Sequence, residues 1–150
     1  MYTRRILIKG GRINLSTVLG CAALMFFTLA VAEVQAGTPR YDETVITDDK
    51  ESKVEKNVFL PETPNIYVLA TLADVPTETT VKAVWIAEKT DAAPPDYEID
   101  RTEMKAGGPM NEVKFSFSKP DAGWPVGDYR VELYIGAEMV KAVRFRVVNS

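Results

Sequence analysis

The chain contains no histidine, and among its 150 residues there is one cysteine, Cys21. Without histidine, the Ser-His and Cys-His nucleophile pairs cannot be built. The usual zinc sites lose their imidazole and thiolate ligands. A lone cysteine has no partner in its own chain, so the fold is expected to hold by burial without a disulfide. No glycine-rich phosphate loop is present, since Gly107-Gly108-Pro109 is too short and no helical pattern follows it. Positive charge is also scarce. The net charge is −3, and residues 37–150 carry 14 basic and 20 acidic residues, a net −6. A mildly acidic chain without a basic stripe is a poor ligand for nucleic acid or anionic lipid. Neither a cofactor nor a metal is expected.

The N-terminus carries a targeting pattern. Arg4, Arg5, Lys9 and Arg12 precede an uncharged apolar run, Val18–Ala32, and Val34-Gln35-Ala36 places small residues where a signal peptidase reads. Residues 1–36 are therefore expected to be a signal peptide cut after Ala36. The run is shorter than the ~20 apolar residues of a spanning helix; an uncleaved anchor is the alternative and the only route to a membrane. Thr3-Arg4-Arg5-Ile6-Leu7-Ile8-Lys9 resembles the twin-arginine export motif, and the general secretory route stays open beside it. Val18-Leu19-Gly20-Cys21 loosely resembles a lipobox, although the strongest apolar run follows Cys21. Export without disulfides fits a bacterial envelope protein, periplasmic or extracellular, better than a small stapled domain.

After the leader, residues 37–56 are rich in charge and read as a flexible acidic linker. Residues 57–150 read as one domain in short strands. Asn57–Leu60 is a short edge strand and Asn65–Ala73 a well-covered one. In Thr80–Glu88, Val81, Ala83, Trp85 and Ala87 share a face, opposite Lys82, Val84, Ile86 and Glu88. Tyr97–Met104 alternates less cleanly. Glu112–Ser118 places Val113, Phe115 and Phe117 inward. The turn Trp124-Pro125-Val126-Gly127 feeds Asp128–Ile135, where Tyr129, Val131, Leu133 and Ile135 oppose Arg130, Glu132 and Tyr134. Met139–Val148 ends the chain with Val143, Phe145 and Val147 inward. Helical periodicity and internal repeats are absent from this part.

About seven short strands with turns every 8–12 residues predict an all-β, Ig-like antiparallel β-sandwich, with a small barrel as the other all-β solution. Trp85 falls in the third strand, where Ig-like domains bury a tryptophan. Tyr129 falls where a tyrosine corner would sit, and Val131 where a true immunoglobulin has its second cysteine, with Val68 or Ala70 opposite. Ile66-Tyr67, Thr80-Val81-Lys82-Ala83-x-Trp85, Phe115-x-Phe117, Gly123-Trp124-Pro125-x-Gly127-x-Tyr129-x-Val131 and Phe145-x-Val147 together resemble a secreted, cysteine-free Ig-like module of bacterial envelope proteins. The resemblance spans residues 57–148. It implies a fold and a location, and brings across no catalytic residues.

Two functional candidates remain. Glu98 and Asp100 would share one face of a strand about 6.5–7 Å apart, a spacing open to two-carboxylate hydrolysis. A charged edge strand that resists aggregation looks the same. The stronger candidate is a surface. In a sandwich of this kind the third, sixth and seventh strands are neighbours. Their outward residues Val84, Ile86, Tyr134, Val140 and Ala142 would form an apolar stripe rimmed by Lys82, Glu88, Arg130, Glu132, Arg144 and Arg146, as at protein interfaces. Scattered surface apolars, or a face covered by the N-terminal arm, are the plainer readings. The expected function is thus non-catalytic. The chain would be an exported protein-binding module that uses Val84, Ile86, Tyr134, Val140, Arg130 and Arg144 to hold an envelope protein or a copy of itself. The alternative is a structural or accessory subunit, or an inhibitor, of a cell-surface assembly.

Overall fold

Runs in which apolar and polar residues alternate become strands, because successive side chains on a strand point to opposite faces. The computed structural model describes residues 37–150. The expected leader and Cys21 lie outside the described residues. In chain order the strands are β1 Arg40–Thr47, β2 Val58–Phe59, β3 Asn65–Ala73, β4 Thr79–Thr90, β5 Tyr97–Ala106, β6 Glu112–Ser118, β7 Gly127–Ile135 and β8 Glu138–Val147. They form two sheets, of order β1-β3-β6 and β2-β8-β7-β4-β5. All neighbours are antiparallel except β2, which runs parallel to β8. The described residues are an all-β sandwich. As expected, the strands bearing Trp85, Tyr129 and Phe145 are neighbours in one sheet.

The acidic linker expected over residues 37–56 is corrected. Arg40–Thr47 pairs with β3, and Tyr41 and Ile46 are buried. The Tyr41 hydroxyl donates to the Tyr134 carbonyl, 3.0 Å away, which ties the small sheet to the large one. Burial of the phenol pushes its pKa well above the ordinary tyrosine value. After β1 the chain turns back, and the Lys56 amide donates to the Ile46 carbonyl at 2.8 Å. It then crosses to the large sheet as β2.

The core between the sheets is organised around Trp85. Its ring stacks on Trp124 with centroids 5.0 Å apart and meets Phe117 and Phe145 edge-on at 4.4 and 4.9 Å. Tyr129 stacks on Phe145 at 5.1 Å. Each such pair is worth about 0.5–1.5 kcal/mol beyond the area it buries, so the cluster fixes how the two sheets face each other as well as adding to stability. The Trp85 indole N–H has no hydrogen-bond acceptor and lies among these rings. Val68 and Val131 are fully buried in the same core, and Ala70 nearly so.

The turn before β7 closes one end of the sandwich. The Trp124 indole N–H donates to the Thr63 carbonyl at 2.7 Å, and its backbone N–H to the Pro61 carbonyl at 3.0 Å. At Gly127 a Cβ would lie 2.3 Å from the Lys89 carbonyl oxygen, so the close approach of β7 to the end of β4 requires glycine there. The Tyr129 hydroxyl donates to the Pro125 carbonyl at 2.5 Å. This is the backward hydrogen bond of a tyrosine corner, and burial pushes the phenol up to about 12.

Candidate functional site

The outer face of the large sheet is built by cross-strand rows, because directly paired residues share a face. One row runs Glu98, Ile86, Arg130, Arg144 across β5, β4, β7 and β8, and the next runs Arg101, Val84, Glu132, Ala142. The apolar residues Val84 and Ile86 sit on β4, between β5 and β7, and long polar side chains flank them on both sides. Val84 is 4% exposed and Ile86 6%. The open apolar stripe expected at these two residues is therefore not formed. Its cover is neither a partner nor the N-terminal arm, but the stems of flanking charged residues, which bury their methylenes and keep their heads in water.

Those heads form one network. The Arg130 guanidinium, only 19% exposed, donates from Nη1 to Glu88 Oε1 at 3.3 Å and to Asp96, and from Nε to Glu132 Oε1 at 2.8 Å. The Tyr134 hydroxyl donates to the other oxygen of Glu132 at 2.8 Å. Arg144, 70% exposed, reaches Glu88 Oε1 at 3.2 Å. Lys82 places its ammonium 4.2 Å from the centre of the Tyr134 ring, a cation–π contact. Three carboxylates around one guanidinium explain its charge state. The hydrogen bond that Arg130 donates to Asp96 raises its pKa most, against the opposing effect of burial, with Glu132 and Glu88 adding to the rise. For Glu132, burial alone would raise the pKa. Hydrogen bonds from Arg130 and Tyr134 outweigh it and hold the carboxyl below its ordinary value. The bond to Glu132 and partial burial raise the Tyr134 phenol.

Of the six residues expected at a binding face, the structure brings five together: Arg130, Arg144 and Tyr134 in the network, with Val84 and Ile86 beneath it. Val140 is elsewhere. A bulge between Leu133 and Tyr134 shifts the β7–β8 register, and Val140 packs against the core and lines a groove with Thr38, Pro39 and Ile135. A second bulge corrects the carboxylate pair. Ile99 is extra on β5, so Asp100 pairs with the inward Trp85 and Glu98 with the outward Ile86, and the two acids point to opposite faces.

The pairing of Asp96 with Arg130 was not legible in the sequence. Asp96 adopts φ 58°, a left-handed backbone that aspartate tolerates better than most residues, and its carboxylate pins the β4–β5 loop to Arg130. The loop prolines marked a turn, but nothing in the sequence tied Asp96 to an arginine in a distant strand. Beside Arg144 a cleft of about 540 Å³ opens between Glu88, Lys89, Asp128 and Arg146. Its charges are mixed, and Arg146 is paired with Asp128 at 3.2 Å. Among the described residues no three Asp or Glu side chains gather as metal ligands.

Two facing, mainly antiparallel sheets, a buried tryptophan on an interior strand and a tyrosine corner define an Ig-like β-sandwich. The solved structures agree on the fold. An immunoglobulin-like protein from Pseudomonas aeruginosa matches with a TM-score of 0.51 and 11% identity, over 76% of this chain and 99% of that one. An alkylpurine DNA glycosylase from Pseudomonas fluorescens, bound to DNA containing an abasic-site analogue, matches with a TM-score of 0.47 and 13% identity; the match covers 75% of this chain and 30% of the glycosylase. The first likeness speaks for the fold alone, and the second is too slight to carry an argument. No protein-family model matches the sequence, and no curated protein does.

Proposed function

We propose that this chain is a non-catalytic binding module, exported to the periplasm or surface of a bacterial cell, that engages another protein through the outer face of its large sheet. The observation that carries the reading is the Arg130–Glu132–Tyr134–Arg144 network over a sealed apolar floor. Arginine and tyrosine, with tryptophan, are enriched among the residues that carry most of the binding energy of protein interfaces. Here they are held in place by their neighbours before any partner arrives, which lowers the entropy that binding must overcome. The leader-like N-terminus, with its paired arginines and apolar run, supports export. The large sheet also ends in an unpaired edge strand, which favours the second reading, a subunit of a surface assembly joined strand to strand.

The test is capture of partners from an envelope extract by the wild-type protein and by an Arg144→Glu/Lys82→Glu variant. Both positions lie at the surface of the network, so the variant is expected to keep its fold by circular dichroism. A partner held by wild type and lost by the folded variant is the expected result. Equal capture by both removes the outer face as the binding surface. A charge at Ile86 is not a usable probe, because the residue is buried and the fold would suffer with the face.

A further inference from the structure

The edge of the large sheet formed by β5 presents a free row of backbone donors and acceptors, and it is the most exposed strand of the fold. Seven of its ten residues are exposed, Tyr97 and Ile99 by 53% and 41%. The other edges differ. At the opposite side of the large sheet, β2 pairs with the last two residues of β8, Arg146 and Val147, and five of the ten β8 residues are exposed. The free side of β1 is met by the returning chain at Lys56. The free side of β6 carries its two charges, Glu112 and Lys114, only at the start of the strand, where Lys114 already lies 4.0 Å from Glu51, and the uncharged Ser116 and Ser118 follow.

The charges along β5 select a partner. From Glu98 the sequence runs Glu98-Ile99-Asp100-Arg101-Thr102-Glu103-Met104-Lys105-Ala106. Arg101 and Glu103 lie on the outer face, since they pair with Val84 and Lys82 of β4. An antiparallel copy centred on Thr102 sets Arg101 of each chain opposite Glu103 of the other, twice, and places no like charges opposite one another. Sliding the copy by two residues, the smallest step that keeps both outer faces together, puts Arg101 against Arg101 in one direction and Glu103 against Glu103 in the other. The strand is thus complementary to itself about Thr102 and opposed to itself in the two neighbouring registers; a further step, about Met104, would set Glu103 against Lys105, but the Lys105 ammonium is already bonded to Thr80 Oγ1 at 2.7 Å.

Taking the chain as a protein-binding module, we infer that β5 joins antiparallel to β5 of a second copy, about a two-fold axis at Thr102, to make one continuous ten-stranded sheet from two five-stranded ones. Backbone hydrogen bonds supply the affinity of such strand addition, and the side-chain pairs fix its register. Arg101, which bonds Glu98 of its own strand at 2.6 Å, turns to or is shared with Glu103 of the copy. The outer faces of the two sheets then become one surface twice as wide.

Sedimentation of the purified protein, expressed from the full-length chain, tests this directly. The wild type is expected to show a concentration-dependent monomer–dimer equilibrium. Arg101→Glu and Glu103→Arg should each weaken the dimer about tenfold or more, since two attractive cross-strand pairs become repulsive. The Arg101→Glu/Glu103→Arg swap should restore it. All three changes are on exposed side chains, and circular dichroism checks the fold. As an independent reading of register, Thr102→Cys in a Cys21→Ser background should oxidise to a disulfide-linked dimer faster than Arg101→Cys or Glu103→Cys in the same background. A wild type that stays monomeric overturns the proposal, as do single variants that dimerise like wild type, a swap that fails to recover, or fastest cross-linking away from Thr102. Any of these leaves partner capture through Arg144 and Lys82 unaffected, so failure of self-pairing is distinct from failure of the binding-module reading.

Discussion

The two faces of the large sheet bury apolar side chains by different means. On the inner face Val81, Ala83, Trp85 and Ala87 of β4 meet a second sheet, and the contacts are ring on ring and ring on aliphatic. On the outer face Val84 and Ile86 of the same strand have no opposing sheet, yet they are nearly as buried. Their cover is a set of arginines and glutamates that reach across from the neighbouring strands. The inner face is closed by atoms locked into rotamers at crystal-like density. The outer face is closed by flexible stems whose charged ends hold one another in place. Equal burial therefore need not mean equal contribution to stability, and the outer face is the one that can be rearranged by a partner.

The largest expected effect sets the scale of that contrast. Trp85→Ala should destabilise by about 3–5 kcal/mol, the range for truncating a buried aromatic in a packed core. Ile86→Ala should cost about 2 kcal/mol, the low end for its class, because the stems of Arg130 and Glu98 can close over the gap. Urea denaturation of both variants measures the difference. Similar losses at the two positions would show that the outer face is as rigid as the core. No loss at Ile86 would show that its cover is too loose to count as burial.

Much of this was legible in the chain because period-two alternation survives wherever two strands pair without interruption. β3 and β6 begin and end where the alternation of Asn65–Ala73 and Glu112–Ser118 says they should. The aromatic positions Trp85, Tyr129 and Phe145 announce the core for the same reason. The failures share one cause. A register shift between Tyr41 and Thr44 puts Tyr41 and Ile46 on the same buried face although they are five residues apart, so β1 lost its alternation and looked like a linker. The bulge at Ile99 separated Glu98 from Asp100, and the one before Tyr134 carried Val140 off the outer face. A bulge costs one residue of phase, and no pattern within a single strand marks where it falls. The sealing of Val84 and Ile86 was hidden for another reason. It depends on which residues stand opposite them on β5 and β7, and pairing is not written in either strand alone.

Removing the centre of the outer network should have the next largest effect. Arg130→Met keeps a stem of similar length over Ile86 but leaves Glu88, Glu132 and Asp96 without their shared cation. The expected cost is about 1–3 kcal/mol, the range for losing hydrogen bonds to charged groups with the partners left in place. Arg130→Lys should recover only part of it, because one ammonium cannot reproduce a planar fork that bonds three carboxylates. Amide exchange in the loop around Asp96 should quicken in both variants, while the amides of β4 beside Trp85 stay protected. Quickening that spreads to the core amides would mean that the two faces are one cooperative unit and would erase the contrast drawn here.

The smallest effect concerns acid. The folded protein holds the Glu132 carboxyl below its ordinary pKa of 4.5, so folding favours the ionised form. The stability this supplies is present in full above the unfolded value and is lost as pH falls through the lowered, folded value, where Glu132 takes up a proton and releases Arg130 and Tyr134. Glu132→Gln removes that titration. At neutral pH the variant should be less stable than wild type by about 1 kcal/mol, as for a partly covered ion pair. The gap between the two should narrow steadily as the solution is taken below pH 4.5. Thermal unfolding of both proteins across that range reads it out. A gap that stays constant with pH would assign the stabilisation to the shape of the Glu132 side chain and not to its charge. The outer face would then be closed, as the inner one is, by packing alone.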